Sequence, residues 1–177
     1  MGDMPGSFLV GEQVSLRPVE EDDLEFIRDG VNHPEVWKAV GGQAVPTNLE
    51  IERKFYDDAN RDDETIQLLI TAEDDRVGML ELSPIDWVRG VAEIAYWVHP
   101  DYQGQGIATD ALDTVVDYAF DELRLRKVTA EVFATNEASQ HVVESAGFVE
   151  EGVLRSEEYV DGEPIDVLRY GRLATES

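Results

Sequence analysis

The stretch best suited to chemistry is a loop with two glycines, Gly104 and Gly106, between an apolar run and an amphipathic run. The run Val91–Val98 (VAEIAYWV) predicts a buried strand, and the residues after Ala108 predict a helix. Glycines let a ligand approach the backbone closely, and a helix start presents unpaired N–H groups with a partial positive charge. The sequence therefore predicts an anion site suited to a phosphate or pyrophosphate.

The spacing of these glycines differs from that of the familiar nucleotide-binding loops. A P-loop needs a Gly-Lys pair, which the sequence lacks, and a dinucleotide-binding turn needs a third glycine where Thr109 stands. Residues 101–108 include no Lys or Arg, so backbone dipoles must hold a phosphate there. Taken alone, the loop fits a tight strand-to-helix turn without a ligand equally well.

The composition excludes several kinds of site and partner. The 177 residues include 39 acidic and 14 basic side chains, which gives a formal charge of −25. Such a surface repels nucleic acid and anionic lipid, which bind through Lys and Arg, and attracts polycations. The absence of cysteine excludes disulfides and thiolate ligands, and His33 and His141 have no partner at metal-ligand spacing. We therefore predict no nucleic acid, no membrane and no metal as partners.

The acidic residues are dispersed along the chain, and only three of the basic residues are lysine. This pattern is typical of proteins from salt-loving organisms, where salt screens the repulsion between like charges; a charge-guided substrate site is the alternative. No apolar run reaches the roughly 18 residues of a membrane-spanning helix, and the first residues show no secretory signal. We expect a cytoplasmic protein.

The elements around the loop follow a mixed α/β pattern. Alternating or apolar runs predict seven strands, at about 14–18, 65–72, 77–83, 91–98, 127–133, 148–159 and 165–173. Amphipathic runs predict helices at about 22–29 (ended by Gly30), 35–40 (before the Gly41-Gly42 break), 47–60 (from the capping-box spacing of Thr47 and Glu50), 109–120 and 137–146. The segments 74–76 and 161–162 predict tight turns. We predict one domain over residues 1–177, with its core at about 13–173.

Four groups of residues, which follow the family's order along the chain, resemble motifs of the GNAT N-acetyltransferase family. Residues 103–108 (QGQGIA) fit its [Q/R]-x-x-G-x-[G/A] acetyl-CoA loop, and residues 92–98 resemble its fourth strand. Residues 136–139 (NEAS), followed by 146–148 (AGF), resemble its N-x-x-S…x-G-F segment. The closing segments 152–155, 161–162 and 166–170 are similar to the branch that acetylates the N-termini of ribosomal proteins.

The resemblance implies a mostly antiparallel mixed sheet flanked by helices, in which the family's fourth and fifth strands diverge. It implies acetyl-CoA as co-substrate, with the pantetheine arm paired like a strand with residues 96–98, which include Trp97 and Val98. Asn136 would bind the arm from the other side, and the thioester would lie near Ser139. The pyrophosphate would contact the N–H groups of the loop residues, which are Gln103, Gly104, Gln105, Gly106, Ile107, Ala108 and Thr109.

The implied reaction is direct attack of an amine on the thioester, which requires a base for the amine's proton. We expect Glu93 to be that base, directly or through water, although strand glutamates often face solvent. Glu81 and Asp86, on or just after a neighbouring strand, are the alternatives. His99 titrates nearest neutral pH, but we interpret it as an ordinary loop histidine.

One position departs from the family pattern. Many members reprotonate the CoA thiolate with a tyrosine seven residues after the motif asparagine, where this chain has Val143. We expect Ser139 to substitute for this tyrosine, as a hydrogen-bond donor to sulfur. The alternative is that Ser139 is an ordinary residue of the helix start without a catalytic role.

The acceptor is an amine, and the resemblance favours a protein N-terminal α-amine, such as that of a basic protein. A small amine (a polyamine, an amino acid or an aminoglycoside) is the alternative, and a non-catalytic acyl-CoA-binding module is a third reading. Trp37, Tyr159 and Asp166 are candidate acceptor contacts, although large aromatics are more often core residues and an aspartate of that kind often stabilises a turn. Relatives imply a monomer or homodimer.

Overall fold

The computed structural model describes residues 6–40 and 45–176, so the expected Gly41-Gly42 break lies outside the described residues. Within these ranges the chain forms five helices and eight strands, none of the helices being long and apolar enough to cross a membrane. The helices are α1 (Leu24–Val31), α2 (Pro34–Val40), α3 (Leu49–Arg61), α4 (Ile107–Asp121) and α5 (Glu137–Ser145). The strands are β1 (Leu9–Val10), β2 (Ser15–Pro18), β3 (Ile66–Ala72), β4 (Asp75–Asp86), β5 (Val91–Val98), β6 (Lys127–Phe133), β7 (Val149–Val160) and β8 (Glu163–Leu173).

All eight strands belong to one sheet, in the order β1-β2-β3-β4-β5-β6-β8-β7. Every neighbouring pair is antiparallel except β5 and β6, which run parallel. The parallel pairing joins only Val91 to Lys127, Ala92 to Val128 and Glu93 to Thr129, after which the two strands part. The predicted fold class is confirmed, and β5 and β6 are the strands that were expected to diverge.

Alternation along the strands divides the side chains between the two faces of the sheet. Ile94 and Val98 of β5 belong to a large core that also contains the apolar side of α4. Trp97 belongs to a smaller core on the opposite face, with side chains of α1 and α2. Because Glu81 of β4 lies opposite Ala95 of β5, it shares this second face with Trp97.

Gly30 does not end α1, as the sequence predicted, because the helix continues to Val31. A Cβ atom on Gly30 would lie 2.1 Å from the Trp97 ring, so a larger residue would collide with that indole. Trp97 is itself buried and stacks near Phe26, with 5.5 Å between the ring centroids. The glycine therefore allows α1 to approach β5 closely rather than interrupting the helix.

Three local predictions also differ from the structure. Helix α3 is capped by Asn48, whose side chain accepts a hydrogen bond from the Ile51 N–H at 2.9 Å, and not by Thr47. Strand β4 begins at Asp75, so the turn consists of residues 73–74, both with positive φ, rather than residues 74–76. The sequence pattern missed β1, which has only two residues and pairs with β2. The predicted turn at 161–162 is confirmed between β7 and β8.

Candidate active site

A cleft of about 650 Å³ lies where β5 and β6 part. The glycine loop, both strands and parts of α2, α4 and α5 line it. Beyond Glu93, β5 remains paired with β4 on one side but has no β6 partner among the described residues on the other. Its backbone on that side can therefore hydrogen-bond an extended ligand that carries amide groups, as an added strand does.

The glycine loop forms one end of this cleft. Gly104 and Gly106 have φ values of 72° and 82°, and Gly106 is the N-cap residue of α4. The Gln103 side-chain amide donates a hydrogen bond to the Val98 carbonyl at 2.9 Å, which fastens the loop to the end of β5. No atom lies within 4 Å of a Cβ built on Gly104, so the space above it is open. The first turn of α4 thus presents N–H groups to an open space, an arrangement that can bind an anion.

The Asp110 carboxylate, in the first turn of α4, already accepts hydrogen bonds from backbone N–H groups. Asp110 accepts hydrogen bonds from the N–H groups of Glu12, Gln13 and Val14 at 2.9, 2.8 and 3.0 Å. These contacts fasten the segment before β2 to α4 and offset the repulsion that this carboxylate exerts on an anion. Nothing in the local sequence pattern indicated this contact, because its partners are almost 100 positions apart.

The opposite wall of the cleft is the start of α5. The Asn136 side-chain oxygen accepts a hydrogen bond from the Ser139 N–H at 3.0 Å, which caps the helix. The Asn136 amide group also donates to the carbonyl of Ala39 in α2, at 3.4 Å. Asn136 therefore connects α5 to α2 beside the opening between the strands.

The hydroxyl groups of Ser139 and Tyr96 lie 2.8 Å apart, so a hydrogen bond joins α5 to β5 across the cleft. Burial raises the pKa of Tyr96 to about 12, although the bond to Ser139 lowers it in part, and the phenol stays protonated at neutral pH. Val143, at the position of the family's tyrosine, is fully buried in the core. Sequence reasoning missed Tyr96 as a side-chain contributor; strand alternation alone places it on the same face as α5.

Glu93 lies on the other face of β5, at the last residue paired with β6. Burial raises the pKa of Glu93, the negative charge of Glu131 raises it further, and Arg169 partly offsets both effects. Arg169 also forms an ion pair with Glu131 at 3.5 Å. Within the described part of the chain, the Glu93 carboxylate has no hydrogen-bond partner, so it is free to accept a proton.

The alternatives to Glu93 have different surroundings. Glu81 lies on the same face of the sheet and accepts a hydrogen bond from the Gln67 side chain at 2.7 Å. Asp86 accepts a bond from the Arg89 N–H at the far end of β4. His99 accepts a weak bond from the Asp101 N–H at 3.3 Å and caps a 3-10 turn, which fits the interpretation as a loop histidine.

The structure brings most of the predicted cofactor-binding residues to one cleft. All of them line it except Gln105, whose side chain donates a hydrogen bond to the Asp101 carbonyl at 3.3 Å.

The three candidate acceptor contacts are not brought together. Tyr159 is 71% exposed on β7, and Asp166 accepts a bond from the Ser156 N–H at a bulge between β7 and β8.

Trp37 lines a second cavity, of about 510 Å³, on the face of the sheet that carries Glu81. Helices α1, α2 and α3 and strands β3 and β4 contribute its walls. Val40, at the end of α2, lines both this cavity and the cleft, so the two spaces are adjacent there. In the described ranges, no three His, Asp or Glu side chains are grouped to hold a metal ion.

Comparisons with known proteins agree with this geometry. The family described as "Acetyltransferase (GNAT) domain" matches residues 13–149. A spermidine N(1)-acetyltransferase of Vibrio cholerae is 29% identical over 90% of this chain and 92% of its own. The putative ribosomal N-acetyltransferase YdaF of Bacillus subtilis is 31% identical over 94% of both chains.

A solved structure is also closely similar. The crystal structure of the spermidine N-acetyltransferase from Vibrio cholerae, in complex with CoA and spermine, superimposes with a TM-score of 0.88 at 27% identity. The match covers 93% of this chain and 97% of the other. With the divided sheet, the glycine loop and the family match over 13–149, the chain belongs to the GNAT acetyltransferase family and is an N-acetyltransferase that uses acetyl-CoA.

Proposed function

We propose that this enzyme transfers the acetyl group of acetyl-CoA to a primary amine of a small polycation of the polyamine class. The observation that carries the proposal is the set of poorly neutralised carboxylates on the face of the sheet opposite α4. Burial and a neighbouring carboxylate raise the pKa of both Glu93 and Glu52 there. Such groups are stabilised when a cationic ligand enters. The similarity to spermidine N-acetyltransferases supports the same class.

The proposed coenzyme site uses the residues that line the cleft. The pyrophosphate accepts hydrogen bonds from N–H groups of residues 103–109, and the pantetheine arm pairs with the open edge of β5 at Trp97 and Val98. Asn136 lies beside the arm. The thioester then lies between β5 and the start of α5, close to Ser139. Backbone dipoles carry this site because the loop has no basic side chain.

In the proposed mechanism, the free amine attacks the thioester carbonyl and forms a C–N bond. An ammonium group is the resting form at neutral pH, so Glu93 accepts its proton, directly or through a water. A raised pKa makes Glu93 a stronger base than an ordinary carboxylate. The open N–H groups of β5 stabilise the oxyanion of the tetrahedral intermediate.

Collapse of that intermediate breaks the C–S bond and releases CoA as a thiolate. Ser139 donates a hydrogen bond to the sulfur, and Tyr96 donates in turn to Ser139, which orients the serine proton toward the cleft. Tyr96 can act as a donor because its raised pKa, about 12, keeps the phenol protonated at neutral pH. A thiolate with an ordinary pKa near 8.5 needs only this modest assistance.

A protein N-terminal α-amine is the second candidate acceptor. Val143 in place of the family's tyrosine, and the closing segments 152–155 and 166–170, resemble the ribosomal branch. The similarity to YdaF supports the same acceptor. The buried carboxylates favour a polyamine over it, because a peptide carries a single ammonium group at its N-terminus.

An amine panel distinguishes the two acceptors. Thiol release from acetyl-CoA is measured with spermidine, spermine, putrescine, butylamine and peptides with free N-termini. We expect the polyamines to give a kcat/KM at least roughly 10-fold above the peptides, since a second ammonium group gains a charge-assisted contact. Faster turnover of the peptides would favour the second candidate. If thiol release with every amine is no faster than the hydrolysis of acetyl-CoA, both candidate acceptors are contradicted.

Gly104→Ala tests the coenzyme site. Its Cβ enters the open space above the loop, so we expect the Kd for CoA, measured by calorimetry, to rise roughly 10- to 100-fold through lost N–H contacts. Gly162→Ala is the matched control, because Gly162 also has a positive φ and open space but lies in the β7–β8 turn. Both changes strain the backbone by about 1–2 kcal/mol. Equal CoA affinity of the two variants would place the phosphates elsewhere.

Glu93→Gln tests the base. We expect kcat/KM at pH 7 to fall roughly 10²- to 10⁴-fold. In the wild type, kcat/KM falls as the pH falls through the raised pKa of Glu93, because protonation removes the base. The kcat/KM of the variant does not show this fall. The difference in kcat/KM between the variant and the wild type narrows as the pH rises toward the pKa of the amine, about 10, because the amine then loses its proton without a base. Glu131→Gln removes a repelling charge, so it should move the fall seen in the wild type to lower pH. Identical pH profiles for wild type and Glu93→Gln would eliminate Glu93.

Ser139→Ala and Tyr96→Phe test the return of the proton to sulfur. We expect Ser139→Ala to lower kcat roughly 10-fold or more, with a smaller loss for Tyr96→Phe and little change in the KM for acetyl-CoA. Because the two hydroxyl groups act in series, the double variant should be no slower than Ser139→Ala. Additive losses, or an unchanged kcat, would show that the hydrogen bond between them serves only the fold.

A further inference from the structure

The second cavity contains a buried carboxylate that the mechanism does not use. Glu52, in the first turn of α3, is only 9% exposed and lines this cavity. Among residues 6–40 and 45–176, its side chain has no hydrogen-bond or ion-pair partner. Burial raises the pKa of Glu52, and the nearby negative charge of Glu81 raises it further.

The other carboxylates of this cavity differ in how far they are neutralised. Asp58 forms an ion pair with Lys54 at 2.5 Å, and Asp62 accepts hydrogen bonds from the Glu64 N–H and the Thr65 hydroxyl. Glu81 has only the neutral amide of Gln67 as a donor. Of the described residues that line the cavity, none is Lys or Arg. Glu52 and Glu81 therefore form a negative pair without a cation.

An unpaired carboxylate at such a position is costly for the fold. A desolvated charge without a partner destabilises the native state unless it is protonated, and a glutamine or leucine of similar volume would avoid that cost. The apolar parts of the same wall, such as Ile27, Phe55 and Met79, do not hydrogen-bond the carboxylate. A group that the fold does not stabilise is typical of a ligand site.

We infer that the second cavity is the subsite for the distal ammonium group of the acceptor, which Glu52 and Glu81 bind together. The inference rests on the proposed function, because it names which part of a polyamine lies there. Glu81 shares the sheet face of Glu93 on the neighbouring strand, and the cavity adjoins the cleft at Val40, which lines both. One end of an aliphatic diamine can thus reach the thioester while its methylene chain passes Val40 and Trp37. The ligand class is an aliphatic diamine or polyamine with ammonium groups separated by several methylenes.

The test compares diamines with monoamines in wild type and Glu52→Gln. The acceptors are α,ω-diamines of three to eight carbons and the n-alkylamine of each length, at an ionic strength of 0.3 M or more. In the wild type we expect a chain-length optimum for the diamines and a higher kcat/KM than for the matched monoamines. Glu52→Gln should lower kcat/KM for the best diamine roughly 10- to 100-fold and leave the monoamines unchanged, because only the distal contact is lost.

Two further variants serve as controls. Glu50→Gln makes the same change of charge on an exposed side chain of the same helix, so it should leave both acceptor classes unchanged. Glu52→Asp keeps the charge on a shorter side chain, and we expect it to retain the preference for diamines with the optimum moved to a longer chain. Glu52→Gln should also raise the Tm at pH 7, since it removes a desolvated charge. A higher Tm would show that a loss of activity in this variant does not come from loss of folding.

The outcomes separate this inference from the proposed function. An equal loss for diamines and monoamines in Glu52→Gln, or no loss for either, would overturn the subsite. Failure of the wild type to acetylate any amine would overturn the proposed function instead. The subsite would then stand only if diamines without acetyl-CoA raise the Tm of the wild type and of Glu50→Gln but not that of Glu52→Gln.

Discussion

The site depends on the short length of one strand pairing. Strands β5 and β6 share only three residue pairs before they part, and every other neighbouring pair of the sheet is antiparallel and longer, apart from the two-residue strand β1. An opening through a sheet exposes backbone groups that need other partners. Asn136 and the bond between Tyr96 and Ser139 join α5 to the other wall of the opening. On the opposite face, Gly30 lets α1 pack against Trp97 of β5. These contacts hold the opening at a width that a ligand can fill.

The opening connects two environments of opposite electrostatic character. On the α4 face, the ligand meets N–H groups at a helix start, and Asp110 is occupied by three backbone donors. On the other face, it meets the carboxylates of Glu93, Glu81 and Glu52, all partly or fully removed from water. Under the function that we propose, the phosphates of the acyl donor and the ammonium groups of the acceptor are therefore attracted to different faces. In that proposal, a chain with a formal charge of −25 can use an anionic coenzyme because the fold positions dipoles rather than basic side chains.

The sequence predicted those parts of the site whose signal is local. Gly104 and Gly106 lie within one loop, and Asn136 and Ser139 within one helix turn, so each pair forms a short motif that resembles one of the family. Contacts between distant segments could not be predicted in this way. Tyr96 and Ser139 are 43 positions apart, and only the packing of α5 against the sheet brings their hydroxyl groups together. Gly30 resembled a helix stop because a single sequence cannot show the Trp97 ring beside it. The burial of Glu52 depends likewise on how α3 packs.

The replacement of the family's tyrosine by Val143 has a structural counterpart in Tyr96. Positions 139 and 143 are one helical turn apart, so they lie on the same side of α5. Val143 is buried in the core, and a valine there leaves the helix packed without a polar group. The phenol of Tyr96 reaches the same side of α5 from strand β5, one turn nearer the helix start, and bonds Ser139. The Tyr96 hydroxyl is held by the pairing of β5 with β4, whereas the position of the Ser139 hydroxyl depends on that of α5. The bond between the two hydroxyl groups therefore ties Ser139 to β5, the strand that also presents the open backbone edge of the cleft.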